Sequence, residues 1–482
     1  MMISDDLGAL IRWNFVHEPT KEQDLAIYRC EEFLLGRGAR SVFLLRGYAG
    51  TGKTSLVAAL VKTLLQLRQH VMLLAPTGRA AKVFSSYADA PAYTIHKRIY
   101  RQKSIIDMES FQTSVNLNRH TLFIVDEASM ISNEGLSGSM FGTGRLLDDL
   151  VEFVYSCEGC RLMLVGDTAQ LPPVGEAESP AFSRDVLAGY GLEVMETVLT
   201  QVVRQAEESG ILWNATHLRR LMQEGLLAAF PQLRIQGFPD VRVMPGNELT
   251  EALENSYYHC GTDQTIVVTR SNRRAIIFNN GIRARILDHE EELSVNDLVM
   301  VAKNNYYWTE QSGLAQQKDA KMSFVANGDV AVVRRFRNER ELYGFRFADA
   351  TLRFPDYDNL EMDVTVLLDT LQSEAPALTR QQQEQLFRAV WEDYPEIRNK
   401  RERMKRLRQD PYYNALQIKY AYAVTCHKAQ GGQWQHVYID QGYVTEEMLS
   451  PDYFRWLYTA LTRATEKVFL VNWPKNQMEA SD

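Results

Sequence analysis

The segment GYAGTGKT, at residues 47–54, has the spacing G-x-x-x-x-G-K-[ST] between a predicted strand and a predicted helix. In that setting, backbone N–H groups at the start of the helix, including those of Gly50 and Gly52, can hold phosphate. Lys53 can reach the β and γ phosphates, and the Thr54 hydroxyl can bind Mg²⁺. This segment, here called the phosphate loop, predicts nucleoside triphosphate binding but does not separate kinases, transport ATPases and motors. The predicted nucleotide-contacting residues in it and directly after it are Gly47, Gly50, Thr51, Gly52, Lys53, Thr54 and Ser55.

Adjacent carboxylates end a second predicted strand, in LFIVDEAS at residues 122–129. Asp126 suits a Mg²⁺ partner, and Glu127 suits the group that orients an attacking water. The alternative is a pair of exposed acids at a strand end, which the presence of the phosphate loop disfavours. Together the two segments predict Mg²⁺-dependent hydrolysis of a nucleoside triphosphate.

The segment GDTAQLPPVGE, at residues 166–176, follows a third apolar run and is here called the proline segment. Its two consecutive prolines lack the N–H groups that a central strand needs, so the strand must end there. Since the carboxyl ends of parallel strands meet at one edge, Asp167 and Gln170 should face the same γ-phosphate as Glu127. Gln170 can donate to a phosphate oxygen and accept from a neighbouring chain, which makes it a candidate sensor. The prolines would then transmit a small shift, and Asp167 would help to order the site.

Short apolar runs without alternation indicate strands that are covered on both faces, and therefore parallel sheets. Helical stretches such as residues 55–67 separate them, which is typical of doubly wound α/β layers. The runs form two groups, which predict a first α/β domain at 1–195 and a second at 196–291 and 411–482. The predicted strands are at 41–45, 71–75, 122–125, 162–165, 266–268, 437–439 and 468–471.

Residues 292–410 differ, because short alternating strands (DVAVVRRFR, LYGFRF, MDVTVLL) predict a small β domain inserted into the second α/β domain. The turn at Asn327-Gly328 is a strong hairpin signal. A charged, Gln-rich stretch at 379–409 predicts a helical arm. Its basic run at 398–408 is either a solvated helix face or a nucleic-acid patch, and both interpretations stay open. A Gly/Ser-rich stretch at 132–144 predicts a mobile loop.

The composition is that of a globular protein, with 482 residues, 45% apolar residues and a net charge of −8. That charge argues against coating nucleic acid by bulk charge, although a local groove stays possible. No apolar run approaches the roughly 18–20 residues of a membrane span, and the first 12 residues lack the basic region of a signal peptide. Five cysteines are too few for a disulfide framework, which favours the reducing cytoplasm. The pair Cys157 and Cys160 has no second ligand pair nearby, so packing is favoured over a metal site.

Nine segments in this order resemble the motifs of superfamily 1 helicases: EPTKEQ (18–23), GYAGTGKT, LLAPTGRAAKVF (73–84), TIHK (94–97), VDEAS, GDTAQLPPVG, LTQVVRQ (199–205), YAVTCHKAQGGQW (422–434) and YTALTRATEKV (458–468). The TIH, QLPPVG and HKAQG elements are similar to those of the RecD/Dda-like branch, which moves 5′ to 3′ on single-stranded DNA. The resemblance implies two RecA-like P-loop parallel-sheet domains, an inserted SH3-like β domain and a short pin insertion at about 100–120.

The resemblance also implies roles by position. Gln23 resembles the family's adenine-reading glutamine, and Arg204 and Arg463 resemble the two arginines that reach across the cleft to the γ-phosphate. Such an arginine stabilises charge in the transition state and can raise the rate about 10³-fold or more. The family's catalytic positions correspond to Lys53, Asp126, Glu127, Gln170, Arg204 and Arg463. The positions that touch the DNA backbone correspond to Pro76, Thr77, Thr94, His96, Thr425, His427 and Lys428, with Asn279 a weaker candidate and Trp434 either a stacking platform or a core residue.

Residues 105–118 occupy the place of the pin that splits the duplex in this branch. An apolar tip pressed on the last base pair would compete with base stacking. Phe111 is the predicted wedge, and a core role for Phe111 is the open alternative. The Gly/Ser-rich stretch after VDEAS is longer than the resemblance leads one to expect.

The expected function is that of an ATP- and Mg²⁺-dependent DNA helicase that moves 5′ to 3′ and acts as a monomer. Its expected substrates are single-stranded DNA and junctions with duplex, in DNA repair or recombination, with replication or repair proteins as possible partners and no membrane. One alternative is a translocase that strips proteins or remodels RNA without unwinding. Another is a non-catalytic nucleotide-gated module, which the full set of catalytic positions disfavours.

Overall fold

A computed structural model of the chain describes residues 7–36, 38, 40–104, 107–135, 142–203, 208–313, 322 and 324–479, without the side chains of 102–104 and 107–111. The strands are β1 (Ser41–Gly47), β2 (His70–Ala75), β3 (Ala92–Thr94), β4 (Tyr100–Ser104), β5 (Asp107–Thr113), β6 (Thr121–Val125), β7 (Arg161–Gly166), β8 (Glu193–Leu199), β9 (Val241–Met244), β10 (Thr265–Thr269), β11 (Leu298–Val301), β12 (Val330–Leu342), β13 (Phe345–Phe354), β14 (Leu360–Leu367), β15 (Leu416–Tyr420), β16 (Ala423–Thr425), β17 (Trp434–Asp440) and β18 (Ala464–Val471).

The α-helices are α1 (Leu7–Asn14), α2 (Lys21–Leu35), α3 (Lys53–Gln66), α4 (Gly78–Ala88), α5 (Ile95–Ile99), α6 (Leu146–Tyr155), α7 (Arg184–Gly189), α8 (Gly210–Glu224), α9 (Leu249–Cys260), α10 (Asn272–Arg285), α11 (Tyr307–Gln311), α12 (Arg380–Glu392), α13 (Lys400–Arg408), α14 (Cys426–Ala429) and α15 (Pro451–Leu461). Within the described ranges, no helix is both long enough and apolar enough to span a membrane.

Six parallel strands form the first sheet in the order β3-β2-β6-β7-β1-β8. Along β1, Val42 and Leu44 belong to one apolar core and Phe43 and Leu45 to another, because successive side chains point to opposite faces. Burying an aliphatic side chain contributes about 1.5–3 kcal/mol, so such a strand is stable between two helical layers. The predicted strands at 41–45, 71–75, 122–125 and 162–165 are confirmed.

Five strands form the second sheet in the order β16-β10-β17-β18-β9, and every neighbouring pair is parallel. The predicted strands at 266–268, 437–439 and 468–471 are confirmed. The edge strand β9 was not predicted, because its four residues include the exposed Arg242 and lack a continuous apolar run. The two sheets confirm the predicted doubly wound α/β fold class.

Strands β11–β15 close into a barrel, so the predicted small β unit is present. The hairpin signal at Asn327-Gly328 is misplaced, because this turn only leads into β12, and residues 302–326 separate it from β11. The true β12–β13 hairpin turn is Tyr343-Gly344, where both residues have positive φ (60° and 75°). A tyrosine at positive φ is rare, which explains why the sequence did not signal this turn.

The predicted helical arm consists of α12 and α13. Leu386, Val390 and Leu407 pack against Phe345 and Phe347 at the outer end of the barrel. The arm therefore has an apolar face of its own.

Within the basic run at 398–408, the Arg403 and Arg406 guanidinium groups lie over the rings of Trp391 and Tyr394. Lys400, Arg401 and Lys405 are exposed. The two interpretations of the run both stay open.

The region of the expected pin insertion contains an antiparallel hairpin of β4 and β5. Its register pairs Tyr100 with Thr113 at the base and Ser104 with Asp107 next to the turn. Phe111 pairs with Gln102, so its backbone lies in the body of the hairpin and not at the tip, where Phe111 had been expected. Its side chain lies outside the described part of the chain.

Two of the expected domain boundaries differ from the strand pairing. β8 belongs to the first sheet and ends at Leu199, past the expected boundary at 195. β15 closes the barrel although it follows the expected boundary at 410, because the chain returns from the arm to pair with β11 and β14. Such edges depend on strand pairing, which apolar runs do not reveal.

Candidate nucleotide site and nucleic-acid cleft

The phosphate loop joins β1 to α3 at the carboxyl edge of the first sheet. Gly50 and Gly52 have φ of 74° and 80°, a region that glycine adopts without strain. The Lys53 ammonium donates to the carbonyls of Gly47 (2.7 Å) and Tyr48 (2.9 Å), so its charge already lies within the loop. Thr54 is exposed in the first turn of α3, where its hydroxyl is available to a cation. The loop therefore has the geometry expected for phosphate binding.

Gln23 lies against the phosphate loop. Its Nε2 donates to the Thr51 carbonyl (3.0 Å), and its Oε1 accepts from Thr20 N (2.8 Å) as part of a capping box that begins α2. Both ends of the amide are thus engaged with the protein. The adenine-reading role of Gln23 stays a prediction that requires the amide to exchange one of these bonds.

Asp126 follows β6 and is held from two sides. Its Oδ2 accepts a hydrogen bond from the Tyr87 hydroxyl (2.5 Å), and its Oδ1 accepts from Glu127 N (2.9 Å). Burial raises the pKa of Asp126, while these bonds and the nearby Lys53 oppose the rise. Tyr87 was missed by the sequence reasoning, because it follows the quoted LLAPTGRAAKVF segment and matches no motif. It orients the carboxylate that is predicted to hold Mg²⁺.

Glu127 meets Arg463 across the cleft. Arg463 Nη1 lies 3.9 Å from Glu127 Oε1, and only 3% of Arg463 is exposed. The guanidinium also donates to the Thr459 carbonyl (3.1 Å), which fixes it on the end of α15. Burial raises the pKa of Glu127, and Arg463 opposes that rise. The predicted cleft arginine of the second half thus lies beside the predicted catalytic carboxylate of the first.

The proline segment lies in the same cleft. Gln170 is 7% exposed, and its Oε1 has no hydrogen-bond partner within the described residues. Glu127 Oε2 is likewise buried without a partner there. Buried polar atoms without partners are costly and mark places where a ligand or water binds. The two atoms, with Lys53, Thr54 and Asp126, fit a Mg²⁺–nucleoside triphosphate.

Three residues of the second half hold the proline segment directly. The Tyr458 hydroxyl accepts from Ala49 N in the phosphate loop (2.9 Å) and donates to Asp167 Oδ2 (2.6 Å). Leu171 N donates to the Thr459 hydroxyl (2.9 Å), and Gln430 Nε2 donates to the Leu171 carbonyl (2.7 Å). Asp167, which the sequence left almost without a role, is therefore the acceptor of a bond between the two halves.

The sequence carried a weak signal for these partners. Tyr458 and Thr459 open YTALTRATEKV, and Gln430 is part of YAVTCHKAQGGQW, so their segments were recognised although their contacts were not. Contacts across a cleft depend on how two domains are placed, which no local pattern encodes.

The cleft extends from the nucleotide site toward the barrel and has a volume of about 1580 Å³. From the first half, Thr77 lines it and caps α4 by accepting from Ala80 N (3.2 Å). From the second half, His427 and Lys428 line it. The Lys428 ammonium donates to Asn327 of the barrel, and burial lowers the pKa of Lys428 to about 8.

Two further candidates are close in sequence to residues that line the cleft, but are not themselves among its lining. Pro76 directly follows β2 and is half-buried, and Thr425 precedes α14. The structure therefore brings part of the predicted DNA-contact set to one cleft shared by both halves.

Other candidates lie elsewhere. Thr94 is buried and caps α5 through Lys97 N (3.2 Å), and the His96 ring packs near those of Tyr100 and Phe324. Burial lowers the pKa of His96 to about 4, so this imidazole is neutral near pH 7. Neither residue lines the cleft. Their roles as DNA contacts stay predictions.

Two weaker candidates have structural roles. Asn279 is buried and exchanges hydrogen bonds with Ala423 N and O (2.8 and 2.9 Å), so it ties α10 to β16. Trp434 is 4% exposed, and the Arg79 guanidinium lies 4.1 Å from its ring centroid. For Trp434 the core alternative is the one that the structure supports.

Arg204, the other predicted cleft arginine, lies outside the described residues. Val203, just before it, donates to the Gly50 carbonyl of the phosphate loop (3.0 Å). Among the described residues, no cluster of His, Cys, Asp or Glu forms a metal site of its own. A Mg²⁺ ion here would thus depend on the phosphates of a bound nucleotide together with Thr54 and Asp126.

Comparisons with known proteins give a consistent relationship. A family model described as an AAA domain matches residues 34–238, and one described as a UvrD-like helicase C-terminal domain matches residues 420–471. The uncharacterized protein R530 of Acanthamoeba polyphaga mimivirus is 23% identical over 93% of this chain and 98% of its own length. The ATP-dependent RecD2 DNA helicase of Deinococcus radiodurans is 31% identical over 35% of this chain and 20% of its own length.

Solved structures of Pif1 helicases are also similar. The Bacteroides Pif1 helicase in complex with ADP-AlF3 and single-stranded DNA has a TM-score of 0.48 and 15% identity, covering 94% of both chains. The Candida albicans Pif1 helicase has a TM-score of 0.40 and 16% identity, covering 97% of this chain and 98% of its own. The nine ordered motifs, the two family models and the RecD2 relative support a superfamily 1 DNA helicase of the RecD branch, with ATPase activity.

Proposed function

We propose that the chain translocates 5′ to 3′ on single-stranded DNA and unwinds duplex DNA, driven by hydrolysis of Mg²⁺-ATP between its two α/β halves. The observation that carries the proposal is the meeting of Arg463 and Glu127 at 3.9 Å across the cleft. An arginine from one half beside the carboxylate of the other makes hydrolysis depend on closure of the cleft.

The residues of the chain divide the chemistry between them. Lys53 and the backbone N–H groups of the phosphate loop would bind the phosphates. Thr54 and Asp126 would hold Mg²⁺, which supplies positive charge to the phosphate oxygens when it is bound. Glu127 would orient the attacking water, and Arg463 would stabilise the charge that develops on the γ-phosphate.

Gln170 is proposed to report whether the phosphate is present. Its unpartnered Oε1 lies in the segment that Thr459 and Gln430 of the second half hold. A small displacement of Gln170 would therefore reach both halves of the cleft. The chain would move along the strand because DNA contacts in the two halves alternate as the cleft opens and closes.

The strand is proposed to run through the shared cleft past Thr77, His427 and Lys428. Hydroxyl, imidazole and ammonium groups suit phosphate oxygens and carry no base specificity. The β4–β5 hairpin is proposed to separate the duplex. Activity as a monomer, a cytoplasmic location, and roles in DNA repair or recombination with replication or repair proteins as partners belong to the same proposal, as inferences from the sequence.

The direct test uses duplexes with matched 5′ or 3′ single-stranded tails, each in DNA and RNA versions. We expect ATP-dependent unwinding of the 5′-tailed DNA alone, together with DNA-stimulated ATP hydrolysis. Glu127→Gln should abolish both while nucleotide binding persists, whereas Glu152→Gln, an exposed acid on α6, should change neither. Unwinding of the 3′-tailed substrate, or stimulation without unwinding, would contradict the proposal.

A further inference from the structure

The Gly/Ser-rich stretch at 132–144 begins against the end of the proline segment. Glu176 Oε1 accepts three hydrogen bonds from it, from the Ser132 hydroxyl (2.7 Å), Asn133 N (2.7 Å) and Glu134 N (3.0 Å). Glu176 is itself held to the prolines, because its N–H donates to the Pro173 carbonyl (3.1 Å). A displacement of Glu176, at the end of the proline segment, would therefore move residues 132–134.

The same stretch is bonded to the first turn of α6. Asn133 Nδ2 donates to Asp148 Oδ1 (3.0 Å), and Asp148 N donates back to Asn133 Oδ1 (3.2 Å). The Tyr190 hydroxyl donates to the same Asp148 oxygen and accepts from Asn133 Nδ2 (3.1 Å). This reciprocal arrangement fixes Asn133 to α6 through both ends of its amide.

The next residue of α6 reaches the hairpin. Asp149 is fully buried, and its Oδ2 accepts from the Tyr100 hydroxyl (2.6 Å). Tyr100 is the first residue of β4 and pairs with Thr113 at the hairpin base. The other end of the Gly/Ser-rich stretch also bonds Asp149, through Thr143 N (3.1 Å) and the Thr143 hydroxyl (3.0 Å).

A glycine lies at each end of this chain of contacts, next to the hairpin base and next to the proline segment. At Gly142, with φ of 43°, a Cβ atom would lie 2.1 Å from Asp149 Oδ2 and 2.9 Å from the Tyr100 ring. At Gly175, with φ of 93°, a Cβ atom would lie 2.7 Å from Glu134 Oε2. Side chains at either place would separate the elements that these contacts join. The glycines at 142 and 175 therefore have a structural reason.

We propose that Glu176, Asn133 and Asp149 are positioning residues that link the proline segment to the base of the β4–β5 hairpin, so that the state of the nucleotide site sets the position of the hairpin. The link passes only through described residues. Its effect on strand separation rests on the proposed function, since it assumes that the hairpin splits the duplex. Hydrolysis and translocation themselves do not need it.

The test measures base pairs unwound per ATP hydrolysed on a 5′-tailed DNA fork. Tyr100→Phe keeps the ring and removes only the hydroxyl, so we expect unwinding per ATP to fall about 2- to 10-fold, the range that one hydrogen bond supports. Hydrolysis stimulated by single-stranded DNA should stay within about 2-fold of the parent. Tyr155→Phe on α6, which loses a hydroxyl bond of the same length (2.6 Å) to the Ser41 carbonyl, should unwind like the parent.

A double-mutant cycle separates a shared link from two local effects. Glu176→Ala should lower unwinding per ATP by a similar factor, and Glu176→Gln, which keeps an acceptor oxygen, should restore most of it. If the link is shared, the double variant Tyr100→Phe, Glu176→Ala should unwind as many base pairs per ATP as the more impaired of the two single variants. The inference would be overturned if the two substitutions reduced unwinding per ATP by factors that multiply in the double variant. Equal losses of hydrolysis and unwinding would also overturn it.

A second measurement does not depend on unwinding. Amide hydrogen exchange in β4 and β5 should change when a non-hydrolysable ATP analogue binds the parent, and this change should vanish in Glu176→Ala. No change in the parent would overturn the inference while leaving the proposed function intact. A parent that fails to unwind any fork would instead contradict the proposed function.

Discussion

Two independent constraints meet at Gly52, at the start of α3. Its φ of 80° and ψ of 24° place it in the left-handed region, and a Cβ atom would lie 2.3 Å from Gln23 Nε2. The first constraint concerns only the backbone. The second concerns the contact that ties α2 to the phosphate loop, so a substitution would disturb Gln23 as well as the loop.

Gly52→Ala should therefore cost more than backbone strain alone. Gly225 provides the matched control, because it has nearly the same backbone (φ 69°, ψ 19°) and nothing within 4 Å of its Cβ position. We expect Gly225→Ala to lower the free energy of unfolding by about 1–2 kcal/mol and to leave nucleotide affinity unchanged. Gly52→Ala should lower the unfolding free energy further and weaken nucleotide binding, as measured by urea unfolding and titration calorimetry. Equal effects of the two variants would show that the Gln23 contact contributes neither to stability nor to nucleotide binding.

At the scale of elements, the turn that leads into β12 holds a buried carboxylate. Asp329 accepts from Ala326 N (2.7 Å) and from the Tyr357 hydroxyl (3.0 Å), and the charge of Asp356 also acts on it. Burial raises the pKa of Asp329 to about 7, while the two hydrogen bonds oppose the rise. Tyr357 also lies beside α4, because a Cβ atom at Gly78 would be 2.5 Å from its hydroxyl.

The raised pKa makes this turn a source of pH-dependent stability. Since the folded pKa exceeds the unfolded value, the folded chain binds the proton more tightly, and stability falls as pH rises from about 4 to 7. The contribution of Asp329 to the free energy of unfolding falls by at most about 4 kcal/mol over this range. Asp329→Asn should remove it, so the unfolding free energy of the variant relative to the parent should increase between pH 4.5 and 7.5. A difference that is constant over this range in urea titrations would contradict the assignment.

The elements also show which parts of the molecule a sequence can predict. Continuous apolar runs such as those of β1 and β6 predicted buried parallel strands correctly. A strand that is covered on both faces is apolar at consecutive positions, so its own sequence shows its burial. The sequence did not indicate the turn at Tyr343-Gly344, because one of its two positive-φ residues is a tyrosine, which is rare at such a position.

The candidate site divides in the same way. The residues of the phosphate loop are local in sequence, so spacing alone found them. Asp167 and Tyr458 are 291 positions apart, and their contact depends on the placement of one half against the other. Trp434 lies in a recognised segment and Asn279 was a weaker candidate outside the recognised segments, yet the burial of both could only be seen in the folded structure.

At the scale of the whole molecule, Tyr458 is the point where the two halves share a hydrogen-bonded chain. Its hydroxyl receives the Ala49 N–H of the phosphate loop and donates to Asp167 of the proline segment. Tyr458 itself is 1% exposed. Removing the hydroxyl would leave a partly buried N–H and a buried carboxylate without this partner, at a cost of up to about 1–3 kcal/mol for each group that stays unsatisfied.

Tyr458→Phe should therefore weaken the coupling between the halves more than it weakens nucleotide binding. We expect ATP hydrolysis stimulated by single-stranded DNA to fall by about 10-fold, with the KM for ATP and the unstimulated rate changed by less than about 2-fold. Tyr453→Phe is the matched control on the same helix, since the buried Tyr453 hydroxyl donates only to Gln441 (2.9 Å) within the second half. If both variants lose stimulation equally, the loss reflects a weakened α15. If Tyr458→Phe alone loses it, the hydroxyl carries the nucleotide signal from one half to the other, because the ring and the fold of α15 are the same in both proteins.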